Sequence, residues 1–269
     1  MRLNAVKILK ISITNASKNE ILEEIQKYLA SPRKIRQKSL KIFTPNTEQM
    51  VFAHDNPGFA AVLNRADISL PDSIGVVLAG RFLTKKPIQI PIRGVEFMED
   101  LVRVAVGRHV PIGLIGGRDN LAVDTLSCLR QKHGKLQDSW AEDGPEISFH
   151  NLLFIIHNSD EKLYFERLSR HIVRSGARII FVALGPPKQE YFVERLARQT
   201  PGVIFMVVGG SFDIISGRLP RAPLVIRLIG FEWAWRLFRE PWRWKRQLAL
   251  FEFMKNVLLY RLSPARNGR

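Results

Sequence analysis

Three separate runs of this chain share one shape, an almost wholly apolar strand that ends in glycine. Residues 110–115 run into Gly116-Gly117, residues 178–184 into Gly185-Pro186-Pro187, and residues 203–208 into Gly209-Gly210. Strands that are apolar at consecutive positions, rather than at every second one, belong to parallel sheets covered by helices on both faces. Such sheets bind ligands in the crevice outside the carboxyl ends of their strands, and glycine there lets the backbone approach a phosphate or sugar closely. Any one of the three is also explained as a tight strand-to-helix turn; together they point to a ligand.

The rest of the chain supports the same architecture. Residues 5–14 read as a strand, and Ser17-Lys18-Asn19-Glu20 is a capping box at a helix start. Ile21, Leu22, Ile25, Tyr28 and Leu29 then recur at helical spacing. Residues 40–43 form a short strand ending at Thr44-Pro45-Asn46, followed by a helical stretch over residues 48–65 that Pro57 interrupts. Residues 68–70 are a further strand, and Pro71-Asp72-Ser73 turns into the next helix. Alternation of this kind predicts an α/β fold, a Rossmann-like, mostly parallel sheet flanked by helices, and 269 residues suffice for one large or two small domains.

Composition changes near Arg227. From there to the end, ten Lys and Arg face three Glu, and four of the five tryptophans gather there. The expected organisation is a core over residues 1–226 and a helical, basic and aromatic appendage over residues 227–269. Arg236, Arg239, Arg243 and Arg246 stand at i, i+3, i+7 and i+10, one face of a helix if it is continuous. Pro241 instead allows a second helix to begin there, with the arginines converging from two segments. The arginine fork suits phosphate oxygens, and Trp, Phe and Leu between the arginines suit a membrane interface. The plainer alternative is an amphipathic helix with its aromatics on the sheet and a solvated basic face.

Charge narrows the partners without choosing among them. Forty-one Lys plus Arg against 25 Asp plus Glu leaves +16, which attracts the phosphates of nucleic acid, anionic lipid or nucleotide. Cys128 is the single cysteine, so an internal disulfide and a Cys-rich zinc site are both excluded, and a reducing compartment is expected. No run approaches the roughly 18 apolar residues of a membrane span, and the first twenty residues carry no apolar signal core. A cytoplasmic chain that meets a membrane only at its surface is the expectation.

Several chemistries are excluded by what is missing. No G-x-G-x-x-G follows a strand, and no H-E-x-x-H or D-x-D occurs, so neither a cofactor nor a metal site is expected. Asp72 is the carboxylate that stands out. In a strand-exit turn, a partly desolvated Asp can act as a general base; equally, it can cap the helix that begins at Ile74. Thr44 and Asn46 offer a hydroxyl and an amide to a ligand, and Asn46 can also cap its own helix. Pro187-Lys188-Gln189-Glu190 opens a helix whose free amides suit an anion, or it is a helix start and nothing more.

Taken in order, these segments resemble the WecG/TagA/CpsF family of bacterial glycosyltransferases, glycosyltransferase family 26. The resemblance runs through Thr44-Pro45-Asn46, Pro71-Asp72-Ser73-Ile74-Gly75, Arg93-Gly94, Ile115-Gly116-Gly117, Leu184 to Glu190, Val208 to Asp213, Arg221-Ala222-Pro223 and the tail from Gly230 to Arg246. It implies inverting, metal-independent transfer from a UDP-sugar to a polyprenyl-diphosphate-linked acceptor on the inner face of the cytoplasmic membrane. Asp72 then matches the family's general base, with Thr44 and Asn46 beside it. Gly116, Gly117, Gly185, Pro187, Lys188, Gln189, Glu190, Gly210 and Asp213 match the loops that line the donor pocket. The appendage arginines would meet the lipid diphosphate, where fixed positive charge can stabilise a leaving diphosphate without a metal. The family's usual turn is Asp-Gly, so Ser73 is a departure. A homo-oligomer is compatible with all of this. The competing readings are a nucleic-acid-binding module, suggested by the Trp and Arg content although the strand-end glycines and Asp72 have no use in one, and a non-catalytic lipid-binding partner.

Overall fold

The computed structural model describes residues 3–33, 37–85, 88, 90–150, 153–157, 160–223, 226, 232–239, 241 and 244–263. For His150, Leu153, Glu232, Trp233, Arg236, Lys245, Arg246 and Gln247 it describes the backbone alone.

Six strands form one all-parallel sheet, in the order β4-β3-β10-β9-β5-β6. They are β3 (Leu40–Phe43), β4 (Ile68–Ser69), β5 (Ile112–Gly116), β6 (Trp140–Glu142), β9 (Ile179–Ala183) and β10 (Ile204–Val207). The three apolar runs of the sequence are β5, β9 and β10, and they lie in the middle of the sheet. Their side chains alternate between two cores. Ile115, Ile180, Val182, Phe205 and Val207 face one layer, whereas Leu114, Ile179, Phe181, Ile204 and Met206 face the other. Both faces are therefore dry, which is why the runs are apolar at every position.

The first layer holds α2 (Thr47–Asp55), α3 (Pro57–Leu63), α4 (Ile74–Leu83), α7 (Glu161–Arg174) and α8 (Lys188–Gln199). The second holds α1 (Lys18–Ala30), α5 (Gly94–Gly107), α6 (Leu121–His133) and α9 (Ser211–Ile215). Local chemistry sets these ends. Ser17 and Glu20 form both bonds of the capping box on α1. Asn56 ends α2 and caps α3, with Pro57 in the first helical turn. A charge is buried on β3: the Lys41 ammonium is enclosed, and Glu194 of α8 meets it at 2.6 Å. Burial works against the Glu194 carboxylate, but its bonds from Lys41 and Arg198 outweigh this and its pKa is lowered.

The single strand expected over residues 5–14 is instead a hairpin, β1 (Ala5–Ile8) and β2 (Ile11–Thr14), folded at Leu9, whose φ is 55°. Ile8, Leu9 and Ile11 are all buried, so the apolar pattern passes through the turn without a break. A second hairpin, β7 (Ile147–His150) and β8 (Leu153–Ile156), stands beside α8. Among the described residues, the tail contains the helices α10 (Glu232–Arg239) and α11 (Trp244–Leu262). α11 packs against α2 and α4, and its Phe253 and Val257 join the first-layer core. Among the described residues, no helix is long and apolar enough to cross a membrane.

Candidate active site

In a parallel sheet every strand exits at the same edge, so the turns after β3, β4, β5, β9 and β10 converge there with the N-termini of the following helices. Three parts of this edge differ in chemistry.

At the β4 end, Ser73 caps α4, its hydroxyl accepting from the Val76 amide at 3.4 Å. Asp72 therefore does not serve as the cap. Its Oδ1 accepts the Gly94 N–H at 2.6 Å, across to the first residue of α5, an interaction that a helix N-terminus favours for a carboxylate. Ser73 has φ −112° and ψ 151°, ordinary extended backbone, so the turn does not need the left-handed freedom of the family's usual glycine. A Cβ on Gly94 would stand 3.3 Å from Thr44 Cγ2 and 3.4 Å from Asp72 Oδ1. Position 94 is thus kept bare, and Thr44, Asp72 and the head of α5 meet. In the first turn of α5, Glu96 receives two guanidinium groups, Arg221 at 2.7 Å and Arg93 at 3.7 Å.

Between the ends runs a buried polar chain. Asn46 caps α2 by accepting from Gln49 N–H at 3.0 Å, and Gln49 Oε1 accepts the Asn46 N–H in return. Gln49 Nε2 donates to Glu190 Oε1 at 2.7 Å, Gln189 Nε2 donates to the same oxygen at 2.9 Å, and Gln189 Oε1 accepts the Gly209 amide at 3.1 Å. One carboxylate thereby links the turns after β3, β9 and β10. Glu190 is fully buried, its Oε2 has no hydrogen-bond partner among the described residues, and burial pushes its pKa up to about 7.

At the other end, β5 leads through α6 to β6 on one side, and β9 leads through α8 to β10 on the other. α6 and α8 cover opposite faces, so β5 and β9 flank a topological switch point, where open α/β sheets hold their ligands. A cleft of about 330 Å³ lies there, lined among others by Gly117, Arg118, Glu146, Leu184 and Lys188. Gly116 makes its floor possible. Its φ is +126°, and a Cβ would fall 2.3 Å from the Ala183 carbonyl oxygen. Pro187, joined to Pro186 by a cis peptide, precedes α8, whose N-terminus and Lys188 bring positive potential to the cleft. With a strand spacing of about 4.8 Å, the cleft and the Asp72 turn are on the order of 15–20 Å apart along the strand ends.

The edge brings most of the expected residues together, in different roles. Gly116, Gly117, Gly185, Pro187 and Lys188 surround the switch point, Thr44 and Asp72 meet at the other end, and Gly210 opens α9 between them, followed by Asp213. Gln189 and Glu190, expected to touch a donor, are buried beneath the edge and join the turns to one another. Of the four tail arginines, Arg236 and Arg239 fall within α10 and Arg246 within α11. The Arg239 guanidinium stands 5.9 Å from the Trp235 ring. Arg243 and the side chains of Arg236 and Arg246 lie outside the described residues. Sequence reasoning passed over Gln49, the Glu146 side of the cleft, and the roles of Arg93, Gly94 and Arg221, although Arg93-Gly94 and Arg221-Ala222-Pro223 belong to the ordered motif set. Among the described residues, no cluster of three His, Cys, Asp or Glu could hold a metal ion.

The class this architecture defines is the open α/β enzyme with its chemistry along the strand ends. The chain belongs to the WecG/TagA/CpsF glycosyl transferase family, whose sequence model matches residues 6–267, and it is a glycosyltransferase. Over 225 residues it is 29% identical to the N-acetylglucosaminyldiphosphoundecaprenol N-acetyl-beta-D-mannosaminyltransferase of Bacillus spizizenii, a match that spans 84% of this chain and 81% of that relative.

Proposed function

We propose that this enzyme moves a sugar from a UDP-sugar to an undecaprenyl-diphosphate-linked N-acetylglucosamine, with inversion and without a metal, in the synthesis of a cell-surface polysaccharide. The observation that carries the reading is the shared edge: a cationic cleft at the switch point and, along the same strand ends, a carboxylate fixed by the head of α5 beside Thr44. The B. spizizenii relative acts on an acceptor of this kind.

In the proposed reaction the donor's uridine lies in the β5–β9 cleft, beside the α8 N-terminus and Lys188, and its diphosphate runs along the strand ends so that the anomeric carbon comes within reach of Asp72. The acceptor hydroxyl oxygen attacks the anomeric carbon from the side opposite UDP. Its proton passes to the Asp72 carboxylate, the bond from the anomeric carbon to the β-phosphate oxygen breaks, and the electron pair leaves with UDP. The Gly94 amide holds the carboxylate in place, and Thr44 orients the sugars. Metal-free departure of UDP requires fixed positive charge near its β-phosphate, which the tail arginines Arg236, Arg239, Arg243 and Arg246 would bring to the edge. The lipid-linked acceptor is reached at the cytoplasmic membrane surface through the tail.

The test is UDP release from a panel of UDP-sugars with an undecaprenyl-diphosphate-linked N-acetylglucosamine acceptor in detergent, with EDTA throughout. Acceptor-dependent release is expected; release that stops in EDTA, or none with any donor, contradicts the reading.

A further inference from the structure

The helix that leaves the Asp72 turn carries a feature that the reaction does not use. α4 buries Val76, Val77, Ala79, Gly80 and Leu83, yet Ile74, Leu78 and Phe82, at i, i+4 and i+8, face outward. Leu78 is 53% and Phe82 49% exposed. α11 lies alongside. A Cβ on Gly75 would stand 3.7 Å from Leu250, and the Arg261 guanidinium stands 5.6 Å from the Phe82 ring. The two helices thus run side by side in the same direction.

α11 is apolar on both sides. Phe253 and Val257 face the core, while Trp244, Leu248, Phe251, Leu258 and Leu262 repeat outward at spacings of four, three, seven and four residues. Phe251 is 69% and Leu262 67% exposed. A helix that turns one apolar row to the core and a second to solvent exceeds the single apolar stripe of an ordinary surface helix, and a band two helices wide is more apolar surface than a protein usually leaves to water. Its rim is cationic, with exposed Arg81, Lys85, Lys255 and Arg261 against Glu252. Anionic head groups complement such a rim, whereas a second copy would set like charges against each other. No described helix can span a bilayer, so the band would lie in its interface.

We infer that the outward face of α4 docks on an anionic lipid bilayer as one surface with α11, which holds the Asp72 turn, two residues before Ile74, at the level of the lipid head groups. This rests on the reading that the acceptor is lipid-linked, and it assigns membrane contact to a helix of the catalytic core as well as to the tail.

The experiment is flotation of the full chain with phosphatidylcholine vesicles, with and without phosphatidylglycerol, in the absence of donor and acceptor. The variants are Leu78→Glu with Phe82→Glu, and Val123→Glu, which places the same charge at an exposed apolar site on α6 in the opposite layer. Wild type should float with the phosphatidylglycerol vesicles, and the α4 double variant should lower the bound fraction about tenfold at fixed lipid, with V123E unchanged. Circular dichroism checks folding. Should the double variant unfold, Leu78→Cys in a Cys128→Ser background, labelled with an environment-sensitive fluorophore, gives the same answer: its emission should rise and shift to the blue on adding the anionic vesicles. A dye that stays in water, or a double variant that floats like wild type, overturns the inference. So does sedimentation showing a dimer that the double variant splits while lipid binding is untouched. Any of these with sugar transfer in detergent intact leaves the proposed reaction standing; absence of transfer with the predicted flotation sinks the reaction and not the docking face.

Discussion

The strand-end edge and the outward band of α4 and α11 are held by opposite means. At the edge, almost every group is fixed by a named bond: Asp72 to the Gly94 amide, Asn46 to Gln49, Gln49 and Gln189 to Glu190, and Gln189 to Gly209. On the band, bulky apolar side chains face outward in rows with cations beside them. Transfer of a sugar needs reacting atoms held to within a fraction of an ångström, whereas a lipid surface asks only for apolar area and charge. The comparison teaches that the directional bonds are concentrated where chemistry is proposed, and that the band proposed to meet lipid can be built without them.

Breaking the edge should cost most where the backbone has no alternative. Gly116→Ala places a Cβ 2.3 Å from the Ala183 carbonyl at φ +126°, and a loss of about 2–4 kcal/mol in urea unfolding is expected, together with loss of UDP binding. A variant of wild-type stability would mean that the β5–β9 floor is looser than described.

Glu190 gives a pH signature that the band cannot. Burial raises its folded-state pKa from the ordinary 4.5 to about 7, so between these values the folded chain holds more protons than the unfolded one and stability falls as pH rises. The Glu190 contribution is complete below about pH 4.5 and lost as pH passes through 7, an effect on the order of a few kcal/mol. Glu190→Gln should flatten the decline in melting temperature between pH 5 and 8; an unchanged slope would assign that decline to other groups. Lys188→Ala is expected to weaken UDP binding about tenfold by calorimetry, while leaving flotation on anionic vesicles as it was. A fall in both would erase the separation of the two regions. Ser73→Gly removes only a cap hydroxyl at an extended φ, so a change of a few tenths of a kcal/mol and a transfer rate within about twofold of wild type are expected. A large gain would show that the turn is strained by serine.

How much of this was legible in the sequence follows from the same contrast. The central strands were readable because both faces of β5, β9 and β10 are dry, and the helix starts because Ser17 and Asn46 are local caps and Pro57 breaks α2 from α3. Thr44 and Asp72 were readable as strand-exit residues, but their meeting depends on the pairing of β3 with β4 and on the approach of Gly94 from α5. The burial of Gln189 and Glu190 was not readable, since a charged residue in a helix start normally faces solvent; only the packing of α8 on the sheet encloses them. The hairpin at residues 5–14 was hidden because Leu9 is buried within its turn. The band was half legible: the Trp and Arg of the tail drew attention, but an outward Leu78 and Phe82 look like core positions until α4 has a neighbour.

The central claim is that Asp72, fixed at the head of α5, takes the acceptor's proton. Its most direct test is UDP release by wild type and Asp72→Asn with the undecaprenyl-diphosphate-linked acceptor in detergent and EDTA, alongside UDP binding by both proteins. The account predicts a fall of about 10²–10⁴-fold in transfer with UDP affinity retained, because the cleft proposed for the nucleotide lies several strands away. A variant that transfers at the wild-type rate, or one that loses UDP binding in step with transfer, would contradict it.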